Sequence, residues 1–315
     1  MRWMWCLHTI ARTYGYIVKT SDSPVDAARE LLSAQYRIIT ATRDAVLSTE
    51  DPPDPEHLHD LRVALRRFRA ALDLFARPLK GTSARSLDLA LDALGDDLGP
   101  IRDSNVWVAF LRETAQKDAI RNDPAWPEFY HRQSAADAAL EKPLRVILAS
   151  ASVDALIHSL ARFLDGELPT RRPMEQHGSV RMFGAQRLLD VFNRIEAYRK
   201  TMDYSDTEQM HTLRKLCRKE RYWAEFLAPV LKGPSRLLGR RLKKIADALG
   251  DAHDMDVHLE SLAKSATAVP SSLMADMKSR RIRAGRRFHR AWDTLTAKDF
   301  RKDVEQHLRA CRKRR

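Results

Sequence analysis

Two short stretches of the chain repeat the pattern H-x2-R-x3-R-[RK]-x-R, which combines side chains suited to holding phosphate. The first copy runs from His59 to Arg69 and the second from His211 to Arg221. At about 100° per residue, the histidine and three of the arginines in each copy fall within roughly 80° on one helix face. Arginine presents a rigid fork of donors that matches two phosphate oxygens at once. The repeat therefore predicts two cationic helix faces that bind anions.

The apolar residues of the same stretches indicate how these faces are positioned. Leu61, Leu65 and Phe68 fall on another arc, centred more than about 100° away from the cations. One side of each helix is thus expected to enter a core while the other stays open. Few carboxylates stand four residues away to neutralise the arginines, and Glu225 after Arg221 is the clearest exception. This shortage favours a binding role over a merely solvated charged face.

A second pattern, L-G-x3-D-x2-V, follows each basic stretch by some thirty residues. It runs from Leu98 to Val106 in one half and from Leu249 to Val257 in the other. Two patterns that recur in the same order at nearly the same offset indicate an internal duplication. Asp103 and Asp254, each following a Gly turn, are predicted to be helix N-caps, with a catalytic role or positioning of a motif arginine as the alternatives.

Other helices add positive charge. The predicted helix after residue 235 carries a basic face made of Arg236, Arg240, Lys243 and Lys244. The corresponding helix of the first half has Leu89 and Asp92 where this one has Arg240 and Lys243, so the groove is expected to be more positive on its C-terminal-half side. A row of arginines on the predicted helix 272–294 either lines the groove or forms an outer solvated face.

Composition agrees with a compact, basic, helical protein. The 315 residues include 55 Lys+Arg against 42 Asp+Glu, a net charge of +13, which favours nucleic acid, anionic membrane or phosphate polymer as partner. Apolar residues recur at three- and four-residue spacing, so the fold class is all-α. Three cysteines without a CxxC pair argue against a disulfide framework. No apolar run reaches the roughly 20 residues of a membrane span.

Breaks in the periodicity divide the chain. Residues 1–23 read as an N-terminal extension, and 24–310 as one domain with halves at about 24–165 and 180–310. A polar stretch at 166–179 links the halves, and residues 311–315 form a basic tail. Helices are expected at about 25–48, 56–76, 84–95, 104–119, 128–141, 143–165, 180–201, 207–227, 235–248, 254–266 and 272–294.

At these paired motifs the sequence resembles the CHAD domain, the conserved histidine α-helical domain. The resemblance implies two pseudo-symmetric four-helix bundles around a basic central groove or pore. It also implies binding of inorganic polyphosphate, in the cytoplasm at polyphosphate granules. Carried over by position, the binding residues are His59, Arg62, Arg66, Arg67, Arg69, His211, Arg214, Arg218, Lys219 and Arg221, followed by Arg236, Arg240, Lys243 and Lys244. Glu220 departs from the family pattern, which expects an apolar residue there.

Two other kinds of function stay open. An RNA-binding protein would use similar basic helices, but no recognition motif and no aromatic residues between the cations support it. A polyphosphate hydrolase or phosphotransferase would need carboxylates to hold metal beside the phosphate, and no acidic cluster or P-loop adjoins the motifs. His253, Asp254 and His258 are the only local group suggestive of a metal. A scaffold for an acidic protein is a further alternative. The sequence therefore favours binding without catalysis, and no cofactor is expected.

Overall fold

The computed structural model describes residues 18–48, 54–168, 178–204, 206–264 and 268–313, and within them the chain is helical without strands. The prediction of an all-α fold is confirmed. The helices are α1 (Pro24–Leu47), α2 (Pro55–Leu74), α3 (Ala84–Asp97), α4 (Gly99–Thr114), α5 (Asp118–Arg121), α6 (Trp126–Ala138), α7 (Glu141–Leu148), α8 (Ala151–Arg162), α9 (Val180–Thr201), α10 (Thr207–Leu231), α11 (Pro234–Ala263), α12 (Ser271–Thr296) and α13 (Lys298–Lys313). A π-helical turn, Phe163–Glu167, follows α8.

The helix starts follow from local chemistry. The side chain of Ser23 accepts from the backbone amide of Asp26, and Pro24 occupies the first turn, where its missing N–H costs nothing. Asp54 with Pro55 begins α2 in the same way, and the carboxylate of Asp206 accepts from two amides at the start of α10. The two basic helices therefore begin at strong N-caps.

The L-G-x3-D stretches differ between the halves. In the first half α3 ends at Asp97 and α4 begins at Gly99, because Pro100 has no N–H to donate and cannot continue the preceding helix. In the second half Asp251 stands in place of Pro100, and α11 runs unbroken from Pro234 to Ala263. The predicted break between residues 248 and 254 was therefore wrong.

A single hydrophobic core joins residues from both halves. Phe68, Phe75, Phe192 and Phe226 are fully buried in it, and Trp223 lies where α10 meets α2, donating its indole N–H to the carbonyl oxygen of Ala70 at 2.8 Å. A smaller cluster, which includes Trp107, Trp126, Phe129, Met255 and Met277, connects α4 and α6 with α11 and α12. The halves are thus not independent modules.

The predicted segment boundaries shift at two places. Residues 1–17 of the predicted extension and 169–177 of the linker lie outside the described residues, but Val18 is already buried in the core. Helix α13 continues to Lys313 and buries Cys311, so the tail boundary at residue 311 was wrong. Among the described residues no single helix is long and apolar enough to span a membrane. The helical segments Trp126–Leu148 and Ala151–Glu167, which are bent relative to each other, have the required length and apolar character only when taken together.

Glu220 lies on the core-facing side of α10 and is fully buried, as Phe68 is on α2. Its Oε1 accepts a hydrogen bond from Arg194 at 3.0 Å, while Oε2 has no partner among the described residues. Burial raises the pKa of this carboxyl to about 8, although Arg194 opposes the shift. Glu220, the residue that departs from the family pattern, is therefore a protonated acid in the core at neutral pH.

Replacing Glu220 by glutamine should remove a pH dependence of stability. The folded state holds the Glu220 proton up to a pKa of about 8, whereas the unfolded state loses it near 4.5, so this group's contribution to stability falls as pH rises between those values. We expect E220Q to lie within about 1 kcal/mol of the wild type near pH 5 and to exceed its unfolding free energy at pH 8.5 by about 3–5 kcal/mol. Urea unfolding at both pH values measures this, and a pH-independent difference would contradict it.

Candidate functional site

The cationic residues of α2 and α10 face each other across the junction of the two halves. Each helix turns its apolar residues into the core, with Leu61, Leu65 and Phe68 buried on α2 and Leu213 and Cys217 buried on α10. The opposite sides carry the repeated histidines and arginines. Because α2 and α10 contact each other, the two basic faces meet.

Four arginines form the centre of this region: Arg62 and Arg66 of α2 with Arg214 and Arg218 of α10, hereafter the arginine cluster. Burial lowers the pKa of Arg218 to about 10, and the positive charges of Arg66, Arg214 and Arg62 lower it further. Among the described residues no carboxylate lies within ion-pair distance of Arg66 or Arg218. The buried Nε atoms of Arg62 and Arg66 have no hydrogen-bond partner there either. At the centre of the cluster, Arg66 and Arg218 are therefore positive charges without a paired carboxylate among the described residues.

The glycines of the L-G-x3-D motifs lie against the outer arginines of the cluster. A methyl group added at Gly99 would lie 3.5 Å from Nη1 of Arg62, and one at Gly250 would lie 3.5 Å from Nε of Arg214. Arg62 also donates to the carbonyl oxygen of Gly95. Each glycine thus lies within van der Waals reach of a motif arginine, and an alanine at either place would touch the guanidinium without a clash.

The helix caps predicted at Asp103 and Asp254 were wrong. Asp103 lies in the second turn of α4 and Asp254 in the middle of the unbroken α11, so neither faces free amides at a helix start. Asp254 instead forms an ion pair with Arg214 at 3.7 Å, and the charge of Asp103 favours the protonated form of Arg62. Asp254 therefore positions a motif arginine, which was one of the alternatives considered, whereas Asp103 acts on Arg62 through its charge, without an ion pair among the described residues.

The two motif histidines are neutral in the unliganded protein. Burial lowers the pKa of His59 to about 4, and the neighbouring charges of Arg102, Arg66 and Arg62 contribute. Burial also lowers the pKa of His211, together with Lys215 and His253, whose ring centroid lies 5.2 Å away. At neutral pH these imidazoles add no charge to the site, so a proton could be gained only as an anion arrives.

Two of the predicted binding residues instead tie the halves together. Arg67 of α2 donates to Glu225 of α10 at 2.7 Å, and Lys219 of α10 lies 2.7 Å from Asp73 of α2. In the repeat Arg67 matches Lys219 and Asp73 matches Glu225, so the two ion pairs are reciprocal. Arg67 does not line the large cavity next to the arginine cluster, whereas Lys219 lines it together with its ion-pair partner Asp73.

The last arginine of each motif is also paired. Arg69 binds Asp88 at 2.9 Å and additionally Asp92, both on α3. The positions of Asp88 and Asp92 correspond to Gly239 and Lys243 on α11, so Arg221 turns to Glu225 at 3.2 Å. The charges of Arg69 and Arg221 are therefore already balanced by neighbouring carboxylates.

A cavity of about 820 Å³ opens beside the arginine cluster, hereafter the central cavity. Arg66 and Arg218 reach it from the cluster, and a smaller recess of about 120 Å³ continues past Arg62. The other charged residues that line it are Arg69, Asp73, Lys80, Arg85, Asp88, Asp92, Asp96, Lys215 and Lys219. All of the carboxylates belong to the first half, so the second-half side is the more positive.

The difference in charge between the two sides of the cavity does not come from the α11 cations that were expected to cause it. Arg236, Arg240, Lys243 and Lys244 are exposed on α11 and are not among the residues lining the central cavity. Lys243 pairs with Asp247 of its own helix. The imbalance arises instead from the aspartates of α2 and α3 that line the cavity, because the residues of α10 that line it are Lys215, Arg218, Lys219 and Tyr222.

Several residues that the motif did not include belong to the site. Arg102, buried one position before Asp103, is the neighbouring charge with the largest effect on the pKa of His59. Lys80 and Lys215 line the central cavity, as does Tyr222, over whose ring Arg221 lies at 4.6 Å. Arg102 stands inside the second motif and Lys215 inside the first, so both were visible as extra cations between the repeated positions.

The residues considered for a metal do not converge. Within the described part of the chain, no group of three or more His, Cys, Asp or Glu side chains is arranged to hold a metal ion. His258 stacks on Trp107 with ring centroids 4.2 Å apart, and Asp254 is committed to Arg214.

Comparison with known proteins gives a consistent result. The family model described as "CHAD domain" matches residues 30–263. The crystal structure of the CHAD domain from the plant Ricinus communis aligns with a TM-score of 0.66 and 22% identity, covering 94% of this chain and 95% of that one. PptA from Streptomyces chartreusis aligns with a TM-score of 0.63 and 17% identity, covering 85% and 99%. No curated protein sequence matches significantly.

Proposed function

This chain belongs to the CHAD domain family, and from that premise we propose that it binds inorganic polyphosphate in the central cavity. The family resemblance names the ligand class, and the arginine cluster is the observation that carries the proposal. Arg66 and Arg218 both line the cavity, neither has a carboxylate at ion-pair distance among the described residues, and the charge of Arg66 disfavours that of Arg218. A linear anion with closely spaced charges supplies the missing counter-charge.

The chemistry of the cluster suits phosphate oxygens. Guanidinium groups form bidentate, charge-assisted hydrogen bonds with phosphate, and the buried, unpartnered Nε atoms of Arg62 and Arg66 are donors for such bonds. Lys215 and Lys219 add point charges that adapt to successive phosphates along a flexible chain. The cavity wall formed by α3 carries aspartates, so the polymer is expected to lie against α10.

Polyphosphate binding should weaken steeply with salt, because each phosphate contact releases counterions. We expect the logarithm of the affinity to fall linearly with the logarithm of salt concentration, with a slope that reflects several contacts. Polyphosphate should also displace labelled RNA and duplex DNA at matched salt and matched phosphate concentration. Fluorescence anisotropy with each competitor measures both effects, and preferential binding of RNA would sink the proposal.

Holding the polymer, and not cleaving it, is the role proposed here. Asp73, Asp88 and Asp92 line the cavity, each paired with a lysine or arginine of the same site, which leaves Asp96 as the one lining carboxylate without an ion pair among the described residues. Carboxylates so engaged act as structural counter-charges for the cations around them. Incubation of the protein with polyphosphate and divalent ions, followed by gel analysis of chain length, should show an unchanged polymer. In the cell the proposed setting is the cytoplasm, at polyphosphate granules.

A further inference from the structure

We infer that the arginine face of α12 forms a second binding site for the same polymer, which long polyphosphate chains reach from the central cavity. This inference rests on the proposed function and extends it. The site is a separate cavity of about 580 Å³ between α4, α11 and α12. Its cationic wall consists of Arg280, Arg283, Arg286, Arg287 and Arg290.

The opposite side of α12 is committed to the core, which fixes where the arginines point. Met277, Ala284, Phe288 and Trp292 are buried. The arginines therefore point away from the core and line a concave, solvent-accessible surface. Val106, Phe110 and Met255 form its apolar lining, which weakens the screening of charge.

The arginines of this cavity outnumber its carboxylates. Arg287 pairs with Asp251 at 2.7 Å. Arg280 is held by Asp276 at 2.9 Å and by Glu113 at 3.1 Å, and its guanidinium lies 4.8 Å from the ring centroid of Phe110. Within the described residues Arg286 and Arg290 have no carboxylate at ion-pair distance, and both are exposed. These two arginines are the free charges of the site.

The second cavity adjoins the arginine cluster through one residue. Asp254 lines the cavity and forms the ion pair with Arg214, which in turn lies close enough to Arg218 to lower its pKa. A chain that leaves the cluster past Arg214 thus meets the α12 arginines next. The helix in the corresponding place of the first half, α6, contains one arginine, Arg132, so the extension is one-sided.

Linked sites predict a dependence on chain length. A polymer that spans both sites binds the second one at high effective concentration, whereas a short oligomer occupies only one. R286Q/R290Q should lower the affinity for chains of roughly one hundred phosphates by about tenfold and leave tripolyphosphate binding unchanged. K278Q/R281Q is the matched control, because Lys278 and Arg281 are exposed on α12 but do not line the cavity.

Isothermal titration with tripolyphosphate and with the long chain, for the wild type and both variants, tests this inference. Loss of long-chain affinity in R286Q/R290Q alone supports it. An unchanged long-chain affinity, or an equal loss in the control, overturns it while leaving the central site intact. Weaker tripolyphosphate binding in R286Q/R290Q also overturns it, because the α12 arginines would then belong to the central site. If the wild type binds neither polymer, the proposed function itself fails.

Discussion

Charge reversal at both Arg66 and Arg218 is expected to weaken polyphosphate binding by more than about a hundredfold. Each arginine contributes about 1.5–3 kcal/mol through charge-assisted hydrogen bonds, and two such losses exceed the roughly 2.7 kcal/mol of a hundredfold change. Glutamates at these positions would also repel phosphate. They would in addition form ion pairs with Arg62 and Arg214, so R66E/R218E should keep its helicity.

A matched control separates this local effect from net charge. Lys298 and Lys302 are exposed on α13, and K298E/K302E changes the net charge by the same amount. Anisotropy titrations should show a modest loss for the control and no saturable binding for R66E/R218E. The uncharged pair R66Q/R218Q should lie between them. Equal affinities of R66E/R218E and the control would rule out the arginine cluster as the binding site.

Truncation of Trp223 should produce the largest loss of stability. The indole is fully buried, donates to Ala70 across the helix junction, and lies beneath the guanidinium of Arg187, whose carbon is 4.4 Å from the ring centroid. Removing so large a core side chain costs about 3–5 kcal/mol. We expect W223A to lower the unfolding free energy by that amount in urea denaturation followed by circular dichroism.

The milder variant W223F separates the loss of stability due to the hydrogen bond from the loss due to the buried area. Phenylalanine keeps most of the buried area and loses the hydrogen bond to Ala70, so a decrease of about 1–2 kcal/mol is expected. A W223A protein as stable as the wild type would mean that the two halves do not depend on this contact.

The fold class and the centre of the site were predictable because they follow from spacing. Helical periodicity is local, and His59, Arg62 and Arg66 share a face wherever their helix lies. The positions of Arg67 and Lys219 were not predictable in the same way. Their partners, Glu225 and Asp73, are more than a hundred residues away in the sequence, and only the packing of α2 against α10 brings them within reach.

The predicted break in α11 shows a second limit. Gly99 and Gly250 were both interpreted as turns, but Pro100 ends the helix in the first half and the second half has Asp251 there. Glycine permits a turn without imposing it. The α12 arginines show a third limit: their face was visible in the sequence, but whether it met solvent or a cavity depended on α4 and α11.

The ion pairs Arg67–Glu225 and Lys219–Asp73 are reciprocal, because a cation of each helix pairs with a carboxylate of the other. A contact in which both sides use the same surface patch is called isologous. In a symmetric homodimer every substitution occurs twice, and both ends of a groove must change together. Within one chain each half can vary alone while this contact keeps the halves in register. The halves differ in this way at two places. Asp92 of the first half corresponds to Lys243 of the second, and α6 carries one arginine, Arg132, where α12 carries a row of arginines. Under the proposed function, these charge differences give the ligand path two distinguishable ends.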